Sequence, residues 1–221
     1  MGAKQTKSDT KLDKKSLSKL QSLIKGELSE DEIQSCYQTY QESRRSKKEL
    51  TKEEFMKVYS GLFQCETTDF AEHVFRTFDL NNDGTVDFQE FLLGLCFSGS
   101  KDAETKITWA FKVYDIDGDG TISWSEMRNI IQSVCNMTSE SMIDQLDQEL
   151  TKHADPSKTH MLNSQTEDGN QYEERDRVGE IADRIFLEMD SDKDGFITLE
   201  EFRDGALKMP MVVSLLDNCF E

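Results

Sequence analysis

Three twelve-residue stretches share one order of side chains, and this repeat constrains the chain more than any other feature of its sequence. The clearest stretch is Asp115–Glu126. It has carboxylates at positions 1, 3 and 5, glycine at position 6, a β-branched apolar residue at position 8 and glutamate at position 12. The other two stretches are Asp79–Glu90 and Asp190–Glu201, and each lies between segments with helical periodicity. Three complete matches argue against a chance set of acidic surface turns.

Such a stretch can surround a hard cation, because calcium takes six to eight oxygen ligands and alternate residues of a tight loop can turn their oxygens toward one centre. Glycine at position 6 permits the sharp turn. Position 7 lends a backbone carbonyl, and the glutamate at position 12 contributes both carboxylate oxygens. This is the EF-hand loop pattern, which predicts three bound Ca²⁺ ions, with Mg²⁺ as an occupant in the calcium-free state. The predicted ligands are Asp79, Asn81, Asp83, Thr85, Glu90, Asp115, Asp117, Asp119, Thr121, Glu126, Asp190, Asp192, Asp194, Phe196 and Glu201.

Residues 28–64 have the outline of a further hand whose loop lacks the ligands. Ser29 is expected to begin its first helix, and Leu50 and Glu54 match positions 8 and 12 of a loop. Counting back, positions 1, 3, 5 and 6 are Ser43, Arg45, Lys47 and Lys48, and Arg44 adds a further cation. Because cations stand where carboxylates are needed and the glycine is missing, this first loop is predicted not to bind calcium.

Paired hands contact each other through a short β interaction at position 8. Leu50 is therefore expected to pair with Val86, and Ile122 with Ile197. The predicted fold class is all-α, with four hands arranged in two lobes. The predicted segments are a basic arm with a short helix at 1–27, an N-terminal pair at 28–99, a C-terminal pair at 100–210 and an apolar tail at 211–221.

A polar insertion at 138–174 interrupts the C-terminal pair. Its first part, residues 138–152, is predicted to be helical because Met142, Leu146 and Leu150 align on one face. The remainder is polar and aperiodic. A tolerated surface insertion and a functional loop are both compatible with this pattern.

Charge is unevenly distributed along the chain. The formal net charge is −18, yet residues 1–25 hold seven lysines and two aspartates. The first six residues match the N-myristoylation pattern, which places an acyl chain on Gly2. A basic, acylated arm on an acidic body predicts peripheral attachment to an anionic membrane surface. The acidic body would repel phosphate, so nucleic acid is not expected as a partner.

Five cysteines without C-x-x-C spacing indicate free thiols in a reducing, cytoplasmic environment. No stretch reaches the roughly 18 apolar residues of a membrane span. The three histidines, His73, His153 and His160, have no catalytic or metal-binding spacing, so an enzyme is not expected.

The chain resembles the neuronal calcium sensors, the family of recoverin, visinin-like proteins, hippocalcin and frequenin. The resemblance rests on the acylation signal, one silent hand followed by three intact ones, and the Trp109–Asp115 segment that enters the second intact loop. This chain departs from the family pattern in its longer, basic first loop and in having Cys36-Tyr37 where the family has an aromatic pair. The resemblance implies a groove that accepts an amphipathic helix of a target protein, and an acyl chain that calcium can release.

The sequence therefore favours a calcium sensor that regulates target proteins at membranes. A sensor exposes apolar surface when calcium binds. A cytosolic calcium buffer without target regulation is the alternative. The predicted groove residues are Tyr37, Tyr40, Phe55, Tyr59, Leu62, Phe63, Phe91, Leu92 and Leu95.

Overall fold

Helices joined by tight loops make up most of the chain in this computed structural model, which describes residues 11–25, 27–44, 49–63, 68–136, 140–153 and 177–217. Within these ranges, eleven helices and two short antiparallel ribbons confirm the all-α fold class. The helices are α1 (Lys14–Leu23), α2 (Glu30–Ser43), α3 (Lys52–Phe63), α4 (Thr68–Phe78), α5 (Phe88–Ser98), α6 (Ala103–Tyr114), α7 (Trp124–Cys135), α8 (Glu140–His153), α9 (Arg177–Met189), α10 (Leu199–Lys208) and α11 (Met211–Asp217). The strands are β1 (Leu50–Thr51), β2 (Thr85–Val86), β3 (Thr121–Ser123) and β4 (Phe196–Thr198).

Four helix–loop–helix hands follow one another along the chain, and a strand lies in each loop. They are α2–β1–α3, α4–β2–α5, α6–β3–α7 and α9–β4–α10. Ser29 begins the first hand as predicted: the Glu32 carboxylate accepts a hydrogen bond from the Ser29 N–H at 2.8 Å, and the Ser29 hydroxyl accepts one from the Glu32 N–H at 3.3 Å. This reciprocal capping box satisfies two of the backbone donors that a helix start leaves unpaired.

The two ribbons join the hands in pairs with the expected register. Strand β1 pairs with β2 so that Leu50 faces Val86, and β3 pairs with β4 so that Ile122 faces Ile197. All four of these position-8 side chains are fully buried. The predicted pairing of the hands is confirmed.

One continuous apolar core runs through both pairs of hands. Helix α4 packs against α6 and α7, and α5 packs against α6. In the first pair, the ring centroids of Phe55 and Phe78 lie 4.9 Å apart, and in the second pair those of Tyr114 and Phe202 lie 5.4 Å apart. The two lobes are therefore packed against each other.

A second apolar cluster fixes the N-terminal helix to the first pair of hands. Leu20 and Ile24, at the end of α1, are buried against Ile33 of α2 and against Leu92 and Cys96 of α5. The amphipathic pattern of this short helix predicts docking on the body, and the structure confirms it.

Helix α8 confirms that the insertion begins as a helix. Its Leu146 and Leu150 are buried, and its acidic face pairs with α9, where Arg177 lies 2.6 Å from Asp144 and Arg184 lies 2.7 Å from an Asp147 oxygen. The described part of the insertion is thus anchored to the helix that enters the fourth hand.

The C-terminal tail forms helix α11 against the second pair of hands. Val212, Leu215 and Leu216 are almost fully buried, and the Tyr114 hydroxyl donates to the backbone oxygen of Val212 at 3.3 Å. The core of this pair therefore includes a helix from outside the hands.

Some predicted features lie outside the described residues. These are the arm at 1–10 with Gly2, the first-loop cations Arg45, Lys47 and Lys48, the side chain of Met142 and insertion residues 154–176. Among the described helices, none is both long enough and apolar enough to cross a membrane.

Candidate calcium sites

The first aspartate of each predicted site organises the backbone of its own loop. The loops are named here the second loop (Asp79–Glu90), the third loop (Asp115–Glu126) and the fourth loop (Asp190–Glu201). In the third loop, the Asp115 carboxylate accepts hydrogen bonds from the backbone N–H groups of Gly118 at 2.8 Å and Gly120 at 3.1 Å. The second and fourth loops repeat the bond to the position-6 glycine at 3.0 and 3.1 Å. These bonds bend the chain around the aspartate.

Glycine at position 6 has a conformational reason in all three loops. Gly84, Gly120 and Gly195 have φ of 84°, 92° and 90°. A side chain is disfavoured in this left-handed region because its Cβ crowds the backbone. The sequence pattern therefore identified a backbone requirement that the structure shares.

Position 4 also adopts a left-handed conformation, which the pattern did not reveal. Asn82 has φ 56°, Gly118 has φ 75° and Lys193 has φ 63°. Asparagine and glycine tolerate this region readily, whereas a lysine there is uncommon. Asn82 and Gly118 were the residues in the sequence that could have indicated this left-handed conformation.

The aspartates at positions 3 and 5 cap short turns. In the third loop, Asp117 accepts from the Asp119 N–H at 3.1 Å, and Asp119 accepts from the Thr121 N–H at 2.8 Å. The fourth loop has the same two bonds, at 3.1 and 2.8 Å. The position-7 residues Thr85, Thr121 and Phe196 each begin a strand. Both sets of bonds hold the loop in its curved form.

The glutamate at position 12 lies against the start of its own loop. In the third loop, one Glu126 oxygen accepts from the N–H groups of Ile116 at 2.7 Å and Asp117 at 3.1 Å, and the other accepts from the Ser123 N–H at 2.7 Å. Glu90 and Glu201 make corresponding bonds at the start of the second and fourth loops, at 3.2 and 3.0 Å. The carboxylate that closes the predicted site is therefore already directed into the loop.

The residue at position 9 helps to position the glutamate of each loop, although the predicted ligand set omitted it. Asp87, Ser123 and Thr198 are the N-caps of the three exit helices, and each forms a capping box with its position-12 glutamate. The capping box fixes the position of the glutamate backbone and the direction of its carboxylate. The signal was present in the sequence as Ser, Thr or Asp three residues before Glu.

Burial and hydrogen bonding shift the pKa values of these carboxyl groups in different directions. Burial raises the pKa of Asp115 and of Glu90, because the charged form loses hydration. Burial acts in the same direction on Glu126, but hydrogen bonds from Ser123, Asp117 and Ile116 outweigh it, so the pKa of Glu126 is lowered. The third-loop glutamate is thus held in the charged form that binds cations.

The third and fourth loops each bring three carboxylate oxygens close enough together to bind one ion. One oxygen each from Asp115, Asp117 and Glu126 lie within 4.8 Å of one another, and so do oxygens from Asp190, Asp192 and Asp194. The second loop has Asn81 at position 3, so its corresponding set includes an amide. Among the described residues, the buried Asp190 Oδ1 has no hydrogen-bond partner, and a bound cation would coordinate this oxygen. The residues therefore fit a hard divalent ion.

The first loop keeps the frame of a hand without the acidic ligands. Glu54 Oε2 accepts from the Thr51 N–H at 3.2 Å, and the Thr51 hydroxyl accepts from the Glu54 N–H at 3.3 Å. The Arg44 guanidinium lies over the Tyr40 ring, 5.7 Å from its centroid. The position-12 glutamate of this loop caps a helix as its counterparts do.

The residues predicted to line a target groove are mostly core residues in this structure. Tyr40, Phe55, Tyr59, Phe91 and Leu92 are each at most 2% exposed, and Tyr37 and Leu95 are partly exposed. The side chains of Leu62 and Phe63 lie outside the described part of the chain. A groove on this face therefore requires the helices to move apart.

Paired hands, capped loops and buried ribbons define the EF-hand class of calcium-binding proteins. A family model for an EF-hand domain pair matches residues 44–95 and 104–207. The chain is 34% identical to neuronal calcium sensor 1 of Lymnaea stagnalis over 77% of this chain and 75% of that protein. It is 31% identical to human recoverin over 93% and 89%, and 30% identical to guanylyl cyclase-activating protein 2 of Lithobates pipiens over 74% and 71%. This chain belongs to the neuronal calcium sensor family.

Proposed function

We propose that this protein is a calcium sensor that binds three Ca²⁺ ions, in the second, third and fourth loops, and regulates target proteins through an apolar groove. The preassembled loops carry the proposal. In the third and fourth loops, three carboxylate oxygens already lie within 4.8 Å of one another. Two of the relatives are named as a calcium sensor and as a cyclase-activating protein, which supports a similar role here.

The second loop connects ion binding to a helix that could uncover the groove. Calcium would supply a divalent charge at the centre of the loop. Glu90 is the third residue of α5, and Phe91, Leu92 and Leu95 follow it on the same helix. A movement of Glu90 toward an ion therefore moves α5 relative to α4, and the apolar side chains between the two helices become accessible. An amphipathic helix of a target is the partner that fits such a groove.

Membrane attachment through the N-terminus is the second part of the proposal. Gly2 would carry a myristoyl group, and the basic arm would add attraction to anionic lipid. The exposure of Lys14, Lys15 and Lys19 on α1 supports this arrangement, because Leu20 of the same helix faces the core. The lysines are thus on the side of α1 that a membrane could approach.

Burial of the predicted groove favours one alternative, a calcium buffer. A buffer binds its ions without opening its helix pairs, and five of the predicted groove residues are core residues in this structure. The two functions differ in what calcium does to apolar surface.

An apolar fluorescent dye, anilinonaphthalene sulfonate, tests the proposal. If the protein is a sensor, calcium should raise dye fluorescence in wild type and in Glu54→Gln, but much less in Glu90→Gln, which weakens the site attached to α5. Calorimetry on the same samples should count three sites in wild type. Calcium binding without any rise in dye fluorescence would instead identify a buffer.

A further inference from the structure

Arg76 connects the second hand to the third loop. It lies on α4, and its Nη1 donates to the backbone oxygen of Asp115 at 3.3 Å and to that of Ile116. Its Nη2 lies 3.2 Å from Nδ1 of His73, one turn earlier on the same helix. The guanidinium is thus held from its own helix while it contacts the other pair of hands.

The two acceptors are the carbonyls with which the third loop begins. Asp115 is the C-cap of α6 and position 1 of the loop. Carbonyls at a helix C-terminus lack intrahelical partners, and a cation there is stabilised by the helix dipole. The fork of an arginine can serve two neighbouring oxygens at once. Arg76 lies on α4 in the first pair of hands. It therefore caps the C-terminus of α6, the helix that enters the third loop in the second pair.

Arg76 is also close to the second loop, because it precedes Asp79 by three residues. A cavity of about 380 Å³ separates the two loops, and Arg76 lines it together with Asp79 of the second loop and Asp115 and Asp117 of the third. Burial lowers the pKa of Arg76, while the negative charges of Asp115 and Glu126 act in the opposite direction. The third-loop carboxylates thus attract this guanidinium.

We propose that Arg76 couples the second and third calcium sites, so that an ion in one loop changes the affinity of the other. The inference rests on the proposed calcium binding. A divalent ion in the third loop cancels the negative charge that attracts Arg76. The ion itself also repels the positively charged guanidinium. The guanidinium must then loosen its bonds to Asp115 and Ile116, or α4 must shift with it. Because α4 leads directly into Asp79, either response alters the second loop.

The chain carries its own reporter for the third site. Its two tryptophans, Trp109 and Trp124, both belong to the third hand. Tryptophan fluorescence during a calcium titration of the full chain therefore arises in that hand, where Trp124 also packs on Phe186 of α9 with ring centroids 4.8 Å apart. Coupling is reciprocal for binding free energies, so measuring it in one direction is sufficient.

A double-mutant cycle tests the coupling. Glu90→Gln weakens the second site, and its effect on the fluorescence midpoint is measured with Arg76 present and in the Arg76→Met background. We expect the Glu90→Gln change to shift the midpoint by about fivefold or more with Arg76 present. In the Arg76→Met background the shift should fall below about twofold. Circular dichroism of each variant verifies its folding.

Lys112→Met is the matched control. Lys112 lines the same cavity but belongs to α6 of the third hand, so its removal changes the local charge without removing the connection between hands. It should preserve the Glu90→Gln shift.

An undiminished shift in Arg76→Met, an equal loss in Lys112→Met, or no shift with Arg76 present would each overturn the proposed coupling while calcium binding stands. Failure of the proposed calcium binding would look different, because calorimetry of wild type would then show no ions bound.

Discussion

The glutamate at position 12 has two structural tasks. Glu126 caps α7 through Ser123, and its other oxygen reaches the N–H groups at the start of the third loop. Glu54 has the first task in common with it, but the first loop lacks carboxylates at positions 1, 3 and 5. Equivalent substitutions at these two sites therefore separate helix capping from ion binding.

We expect Glu126→Gln to remove one calcium site and Glu54→Gln to remove none. Glutamine can still complete a capping box, so the loss in Glu126→Gln would come from the charge and the two-oxygen grip. Isothermal calorimetry should count two sites for Glu126→Gln and three for Glu54→Gln. A missing site in Glu54→Gln would contradict the assignment of the first loop as silent.

Two helical glycines should respond in opposite directions to alanine. A Cβ added at Gly94 would lie 2.3 Å from Cδ1 of the buried Phe78, whereas one added at Gly61 meets nothing within 4 Å. Gly94→Ala should lower the free energy of unfolding by about 1–3 kcal/mol through overpacking. Gly61→Ala should raise it by about 0.5–1 kcal/mol, since alanine loses less backbone freedom. Urea unfolding in chelator measures both, and equal shifts would contradict this packing.

At the scale of elements, fixed loop spacing explains what the sequence could predict. Position 8 lies four residues before the glutamate at position 12 in all four loops, so the pairs Leu50–Val86 and Ile122–Ile197 followed directly from the repeat. Contacts outside the repeat had no such signal. The hydrogen bond from Arg76 to Asp115 joins residues 39 apart in the sequence. The packing position of α11 depends on a core to which several helices contribute. Burial of the predicted groove likewise depends on how helices pack, which periodicity does not define.

Helix α11 should be required for a closed second pair of hands. Truncation after Pro210 removes the buried side chains of Val212, Leu215 and Leu216 from the core. The shortened protein should bind anilinonaphthalene sulfonate in chelator and unfold at lower urea concentration than wild type. A chain that lacks only residues 218–221 is the control and should behave as wild type does. Dye binding that is equal in all three proteins would show that α11 covers no core.

Charge distinguishes the N-terminal arm from the rest of the protein. Residues 1–25 hold seven lysines and only two of the 44 acidic residues, so the other 42 acidic residues lie in the rest of the chain. A single myristoyl chain binds membranes only marginally, with a constant of about 10⁴ M⁻¹. Each lysine near anionic lipid adds about 1 kcal/mol. Stable attachment of this protein to a membrane would therefore need the acyl chain and the lysines together.

Acylated protein should sediment with anionic vesicles, and Gly2→Ala should abolish this. Attachment should weaken at high salt, because salt screens the lysines. Sedimentation that requires calcium would indicate release of the acyl chain by calcium, and sedimentation in chelator as well would indicate a permanent anchor. If Gly2→Ala sediments as wild type does, the acyl anchor is wrong.

The unbroken core has a consequence for how long the protein survives in a cell. Because the apolar cluster runs from Tyr40 to Leu216 through both pairs of hands, full opening of one pair would expose core side chains of the other. Opening of either pair would then make both pairs more accessible to proteases that act on unfolded chains. An ion held by any one loop stabilises the folded form as a whole. Calcium would therefore set the lifetime of the protein as well as its activity.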